Sequence, residues 1–211
     1  MSGRKGLGVK TDDFIDQLEA NALAEVANRH PELNADEQKE VAHKIAVGAL
    51  RYFLLKFTRN SIISFDFKEA LAFDGETGPY LQYSVVRANS IFRKLVDAGL
   101  DPSAADLLAV KQERISELLS GDSGDDLWSV IYLAERLADV VRGAVAALEP
   151  AVVAKWAFQL AQRFNIFYHN HHILSEQDAA RRALLVAITT VVRRQLIRAL
   201  DVLGIEAPER M

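Results

Sequence analysis

The chain has 211 residues and no cysteine, and 29 acidic side chains against 25 basic ones give a net charge of −4 at pH 7. The absence of cysteine excludes disulfide bonds and thiolate metal sites within this sequence. No apolar run is long enough to span a bilayer, and the basic, glycine-rich residues 1–10 lack the apolar core of a secretory signal. Half of the residues are hydrophobic and 26% are charged, which indicates one or two folded domains.

The charge is unevenly distributed along the chain. Residues 111–149 carry 4 basic and 8 acidic side chains, whereas residues 150–211 carry 8 basic and 5 acidic ones. Five arginines and no acid lie between Arg181 and Arg198. A local basic face can bind phosphate whatever the total charge, although a solvated helix face explains the same pattern equally well.

Apolar residues recur at spacings of three and four through most of the chain, which predicts helices. A cap at Thr11 begins the first, a cap at Asn34 the second, and Thr77 with Pro79 a later one. Ser61–Phe67 is too short for a helix and is predicted to be extended, and Gly121–Gly124 is predicted to be a loop. The predicted helices cover about 12–29, 35–59, 68–72, 78–96, 104–110, 112–119, 127–148, 150–167 and 176–203. The fold class is therefore all-α, a helical bundle with one short extended segment.

No complete catalytic constellation is present. The sequence has no P-loop, no nucleophile with a paired histidine, and no strand–helix alternation typical of a dinucleotide fold. The paired carboxylates Asp12/Asp13 and Asp125/Asp126 fall at predicted helix starts, where the helix dipole accounts for them. His169-Asn170-His171-His172 suggests a metal site, but a polar cluster at a helix end is the commoner explanation, and no metal ligand is predicted.

One segment combines aromatic, amide and basic side chains in the way that suits single-stranded RNA. Tyr80, Gln82, Tyr83, Arg87 and Asn89 lie on one predicted helix and its entry turn. Unpaired bases stack on tyrosine, and amide or guanidinium groups bind their polar edges. For either tyrosine alone, a half-buried place in the core is the simpler explanation.

Three blocks of this sequence together resemble the anticodon-binding domain of arginyl-tRNA synthetases, which are class I enzymes. The first is Ala49-Leu50-Arg51-Tyr52, which matches the family's Asp-Ala-Leu-Arg motif except that Gly48 replaces the aspartate. The second is Phe65-Asp66-Phe67 followed by Gly75 through Tyr83, and the third is the ending Leu203–Met211. Arg51 either contacts RNA or holds the bundle together through a carboxylate, and the sequence leaves both open.

The resemblance implies a division of the chain into three parts. Residues 1–10 resemble the family's mobile lysine loop, with Arg4 and Lys5 as its cations toward the ATP phosphates. Residues 11–40 would be a connecting helix from the catalytic domain, and residues 41–211 the helical anticodon-binding domain. The full enzyme would use ATP and Mg²⁺, whereas this segment would bind neither and would not aminoacylate alone.

The resemblance also implies the partners and the binding residues. The expected partners are the anticodon arm of arginine tRNA and the missing catalytic domain, in the cytoplasm, without a membrane or DNA. The residues expected to contact tRNA are Tyr80, Gln82, Tyr83, Arg87, Asn165, Tyr168, His169 and Met211. A helical protein-interaction module without RNA binding is the alternative, and steep weakening of binding by salt would distinguish the RNA binder from it.

Overall fold

The structure is a computed structural model that describes residues 11–103 and 105–211. These residues form helices and connections and contain no strand, so the predicted all-α bundle is confirmed. The α-helices are α1 (Thr11–Arg29), α2 (Ala35–Leu55), α3 (Phe67–Ala70), α4 (Gly78–Asp97), α5 (Gln112–Leu118), α6 (Gly121–Glu135), α7 (Leu137–Ala147), α8 (Ala151–Asn170) and α9 (Ala179–Val202). Short 3₁₀ turns lie at Ala105–Ala109 and Ile173–Ser175. Within the described residues, no helix is both long and apolar enough to cross a bilayer.

The first two helices form an antiparallel hairpin with its own small core. The Asn34 side chain accepts hydrogen bonds from the backbone of Asp36 and Glu37, and the Glu37 carboxylate accepts one from the Asn34 backbone. This reciprocal cap satisfies donors that the start of α2 would otherwise leave unpaired. Leu18 on α1 and Ile45 on α2 are buried in the core between the helices. Because α2 runs unbroken through residue 40, the predicted boundary at 40/41 falls inside a helix.

The extended segment before α3 is tied to this hairpin by aromatic side chains. The ring of Phe65 lies 4.6 Å from that of Phe14 and 4.5 Å from that of Phe53. Residues 61–66 have no helical or strand pairing, as the sequence predicted for most of Ser61–Phe67, although Phe67 already belongs to α3. Phe65 therefore anchors a segment that has no backbone ladder to hold it.

The main core lies among α4, α6, α8 and α9, and Tyr52 joins α2 to it. Tyr52 is fully buried, and its hydroxyl donates to the Ala154 backbone oxygen at 3.1 Å. Burial raises the pKa of this phenol well above its usual range, and the neighbouring Glu76 carboxylate adds to the shift. Tyr52 thus acts as a neutral hydrogen-bond donor between the hairpin and α8.

The predicted single helix over 127–148 is wrong, because it is interrupted at Arg136. Two side chains, one from α8 and one from α9, donate hydrogen bonds to carbonyl oxygens at the end of α6. The Trp156 indole donates to the Leu133 oxygen at 3.1 Å, and the Gln195 amide donates to the Ala134 oxygen at 3.0 Å. A continuous helix would have used these carbonyls for residues 137 and 138, so α6 ends at Glu135 and α7 starts at Leu137.

Three further boundaries differ from the prediction. The predicted loop Gly121–Gly124 is instead the first turn of α6, and a Cβ on Gly124 would lie 2.2 Å from the Leu119 carbonyl carbon. The glycine therefore permits close packing against the preceding turn. The last helix starts after Asp178, whose carboxylate caps the Ala180 and Arg181 amides, and not after Ser175. α2 ends at Leu55, four residues earlier than expected.

Candidate nucleic-acid interface

The start of α4 sets the direction of the side chains that form the candidate interface. The Thr77 hydroxyl accepts a hydrogen bond from the Tyr80 amide at 3.2 Å and donates to the Ala72 oxygen at 2.6 Å. Pro79 sits in the first turn, where its missing N–H costs nothing. The predicted cap is therefore present, and it fixes the rotation of α4 against α2 and α8.

Arg87 lies between two tyrosine rings. Its guanidinium carbon is 4.7 Å from the centre of the Tyr83 ring on the preceding turn of α4 and 4.8 Å from that of Tyr168 on α8. Its Nη1 donates to the Asn165 side-chain oxygen at 2.6 Å, and its Nη2 donates to the Tyr83 hydroxyl at 3.1 Å. The Asn165 amide in turn donates to the Ser84 hydroxyl at 3.0 Å. Two helices thus hold a planar cation in a fixed orientation.

This cation opens onto a cavity of about 350 Å³, which we call the Arg87 cavity. Tyr83, Arg87, Lys94 and Tyr168 line it from α4 and α8, and Arg210 and Met211 line it from the tail. A second concavity of about 360 Å³ adjoins it, shares Ser90, Lys94 and Tyr168, and is lined also by His169 and His172. Aromatic, basic and hydroxyl groups therefore border two adjoining hollows along α4 and the end of α8.

The wall of the Arg87 cavity also contains one carboxylate, Glu32. The His30 ring nitrogen lies 2.9 Å from its oxygen, and this hydrogen bond lowers the pKa of Glu32. The carboxylate therefore stays charged at neutral pH and faces a wall with three further cations, Arg93, Lys94 and Arg210. Basic groups outnumber it, so an anionic ligand is favoured.

The structure brings together most of the predicted binding residues, which are spread over more than 120 positions of the sequence. Arg87 contacts three of them directly, namely Tyr83, Asn165 and Tyr168. Met211 lines the same cavity, and exposed His169 lines the adjoining one. Tyr80 is half-buried with its ring 5.6 Å from that of Phe158, so it packs against the core. Arg4 and Lys5 lie outside the described residues.

The prediction that Gln82 contacts RNA is corrected by its burial. Its side chain is fully buried, and its Nε2 donates to the Lys44 oxygen at 2.8 Å and to the Glu206 oxygen at 2.6 Å. A Cβ on Gly48 would lie 2.5 Å from that nitrogen, so the Gln82 amide occupies the space that a side chain at position 48 would need. Gln82 is thus a structural bridge between α2, α4 and the tail, because a base cannot reach it.

We expect Gln82→Leu to destabilise the fold by about 1–3 kcal/mol, because the Lys44 and Glu206 carbonyls lose their donor. Urea denaturation measures this change. RNA affinity of the folded variant should stay within about twofold of the starting protein, since 0.4 kcal/mol is a small fraction of a direct contact. A large loss of RNA affinity without a loss of stability would contradict the structural role.

The residues expected to contact tRNA did not include Ser90, Lys94 and Arg210, which also line this surface. The first two could have been found, because Tyr83, Arg87, Ser90 and Lys94 follow one another at spacings of four, three and four on one helix face. Arg210 had no such signal, since its position depends on how the tail folds back toward α4. The Arg51 guanidinium lies close to Gly204, where a side chain on that glycine would be.

The histidine cluster at the end of α8 is divided between the interior and the surface. Buried His171 lies 3.0 Å from the Asp126 carboxylate through Nε2, and its Nδ1 accepts from Arg181 at 3.2 Å. His169 and His172 are exposed. Across the part of the chain that the structure describes, no three histidine or carboxylate groups are placed to hold a metal ion. His171 instead joins α6, α8 and α9.

Comparison with known proteins identifies the family of this chain. Residues 81–211 match the sequence model of the DALR anticodon binding domain. The chain belongs to this family. The matched range contains seven of the eight residues predicted to contact tRNA, and Tyr80 precedes it by one position.

The chain is also similar to arginine–tRNA ligases. Those of Pyrococcus furiosus and Streptococcus uberis are 33% and 34% identical over 100% of this chain. The solved arginyl-tRNA synthetase of Thermus thermophilus superposes on the whole chain with a TM-score of 0.78 at 27% identity. This DALR-family chain spans about a third of each relative, namely 32%, 34% and 33% of their lengths.

Proposed function

We propose that this chain is the anticodon-binding portion of an arginine–tRNA ligase and binds the anticodon arm of arginine tRNA. The observation that carries the proposal is the guanidinium of Arg87 held between Tyr83 and Tyr168 at the wall of a basic cavity. Membership of the DALR family and similarity to arginine–tRNA ligases support it. The remaining members of the proposed interface are Asn165, His169 and Met211.

The geometry suggests a separate role in RNA binding for each of these side chains. Arg87 already covers one face of each tyrosine, so an unpaired base would stack on the outward surface of Tyr168, which is 37% exposed. Lys94, Arg93 and Arg210 would attract the phosphates that join neighbouring bases. Asn165 keeps Arg87 oriented and is a positioning residue. Met211 would supply apolar contact at the other side of the cavity.

The same proposal assigns a place in the full-length ligase to each part of this chain. Residues 1–10 would correspond to the lysine loop, in which Arg4 and Lys5 approach the ATP phosphates, and residues 11–40 would connect to the catalytic domain. Residues 41–211 would bind tRNA. The full-length ligase would act in the cytoplasm with ATP and Mg²⁺, and this segment would dock the tRNA without binding either.

A filter-binding titration tests the proposal. Three RNAs are compared at two salt concentrations: an arginine tRNA transcript, the same transcript altered only in its anticodon, and an unrelated tRNA. We expect the intact arginine anticodon to bind at least tenfold more tightly than the altered one, a difference of about 1.4 kcal/mol. We also expect affinity to fall steeply with salt. Equal affinity for all three RNAs, or none by the folded chain, would contradict the proposal.

A further inference from the structure

A second basic hollow lies on a neighbouring face of α4, outside the interface described so far. It has a volume of about 670 Å³, within the range of about 300–1,000 Å³ that is usual for small-ligand sites. Asn89, Phe92 and Arg93 line it from α4, Thr190 and Arg193 from α9, and Glu209 from the tail. We call it the Phe92 groove.

The Phe92 groove repeats the side-chain arrangement of the Arg87 cavity. The Arg193 guanidinium donates through Nε to the Asn89 side-chain oxygen, and its carbon lies 5.9 Å from the centre of the Phe92 ring. At the first location, Arg87 is likewise bonded to an asparagine oxygen and lies over an aromatic ring. In both places an amide on one helix orients a cation that another helix carries, beside an aromatic surface.

The charge of the groove favours an anionic ligand. Among its described lining residues, two arginines stand against one acid, Glu209. The backbone oxygen of that residue accepts a hydrogen bond from Arg93 at 3.3 Å, which ties the tail to the groove wall. Arg194 and Arg198 are exposed on the same helix as Arg193. Of the arginines in α9, Arg193 is the one that lines the groove.

The two hollows are connected through Arg93, which lines both the Phe92 groove and the Arg87 cavity. A ligand made of repeating phosphates and flat rings can occupy both hollows, whereas a single small anion would contact only one arginine. Half-buried Phe92 and partly exposed Arg193 match the stacking surface and the cation that a nucleotide needs.

We propose that the Phe92 groove is a second subsite for single-stranded RNA, which takes the nucleotide next to those in the Arg87 cavity. The base packs against Phe92, and Arg193 binds the adjoining phosphate, with Asn89 as its positioning residue. The inference deepens the proposed function and rests on it for the identity of the tRNA, but its test uses an RNA without any anticodon.

The test measures fluorescence anisotropy of a labelled six-uridine RNA at low salt. Arg193→Gln and Phe92→Leu each remove one element of the groove, and Arg87→Gln removes the cation of the first cavity. Arg142→Gln is the matched control, because it deletes an exposed arginine of α7 that lines neither hollow. We expect each groove variant to bind about 3–10-fold more weakly and the control to bind unchanged. Backbone amide shifts of Phe92 and Arg193 in the unaltered protein, followed by NMR as RNA is added, give a readout that no folding defect can affect.

The outcomes separate the two proposals. Weaker binding by Arg193→Gln together with shifts at Phe92 supports the groove, even if Arg87→Gln has no effect and the proposed function fails. Loss with Arg87→Gln alone, without shifts at Phe92, overturns the groove and leaves the proposed function standing. Failure of the folded protein to bind the six-uridine RNA at all overturns the groove as a subsite, whereas the tRNA titration still decides the proposed function.

Discussion

Arg87→Ala is expected to weaken binding of an arginine tRNA anticodon arm by about 30–100-fold, or about 2–3 kcal/mol. The substitution removes a positive charge from the cavity wall, and it also removes the planar guanidinium group that contacts the Tyr83 and Tyr168 rings. Without it, Tyr168 loses the partner that orients it for stacking. Filter binding with the anticodon-arm RNA measures the loss, and a thermal melt shows whether the fold survives.

Arg87→Lys separates the two parts of this effect. Lysine keeps the charge but cannot donate two fixed hydrogen bonds or stack as a plane. We expect a loss of about tenfold with an unchanged salt slope, because the number of phosphates neutralised stays the same. Arg142→Ala on α7 should bind like the starting protein. If the lysine variant bound as tightly as arginine, the stacked geometry would be irrelevant and only charge would matter.

Gly78→Ala is expected to destabilise the fold by about 3 kcal/mol or more. An added Cβ would lie 2.2 Å from the Gly48 oxygen and 2.5 Å from its carbon, and 3.0 Å from the Ala49 nitrogen. All three are backbone atoms, so no side chain can rotate away. The start of α4 would have to move off α2, and the Thr77 cap would move with it.

Gly143→Ala is the control for that experiment. Gly143 lies within α7, and its added Cβ would meet no atom within 4 Å. Alanine favours helix more than glycine does, so we expect a gain of about 0.5–1 kcal/mol. Urea midpoints of the two variants, compared at equal m-values, decide the matter. A neutral Gly78→Ala variant would show that α2 and α4 are less closely packed than the structure has them.

Much of the fold could be predicted because its signals are local. The caps at Asn34 and Thr77 and the apolar spacing along α2 and α4 depend on residues within a few positions of one another. The break at Arg136 could not be predicted in this way. It depends on Trp156 and Gln195, which reach the end of α6 from α8 and α9.

The candidate interface shows the same contrast. Tyr83 and Arg87 follow from helical spacing, but their meeting with Tyr168 depends on how α4 packs against α8. Gln82 and Tyr83 are adjacent, and both can form hydrogen bonds. The sequence alone gives no reason to place one of them inside and the other at the surface. Only the position of Gly48, which leaves room for an amide, puts Gln82 inside and Tyr83 at the cavity.

The packing of Gln82 over Gly48 also limits how this sequence can diverge. A side chain at position 48 collides with the amide of Gln82, and one at position 78 collides with the backbone at Gly48. A side chain at position 48 would therefore force the Gln82 amide away from its two acceptors, the Lys44 and Glu206 oxygens. Restoring the aspartate of the Asp-Ala-Leu-Arg motif at this position would thus disturb the link between α2 and the tail, although position 82 lies on another helix.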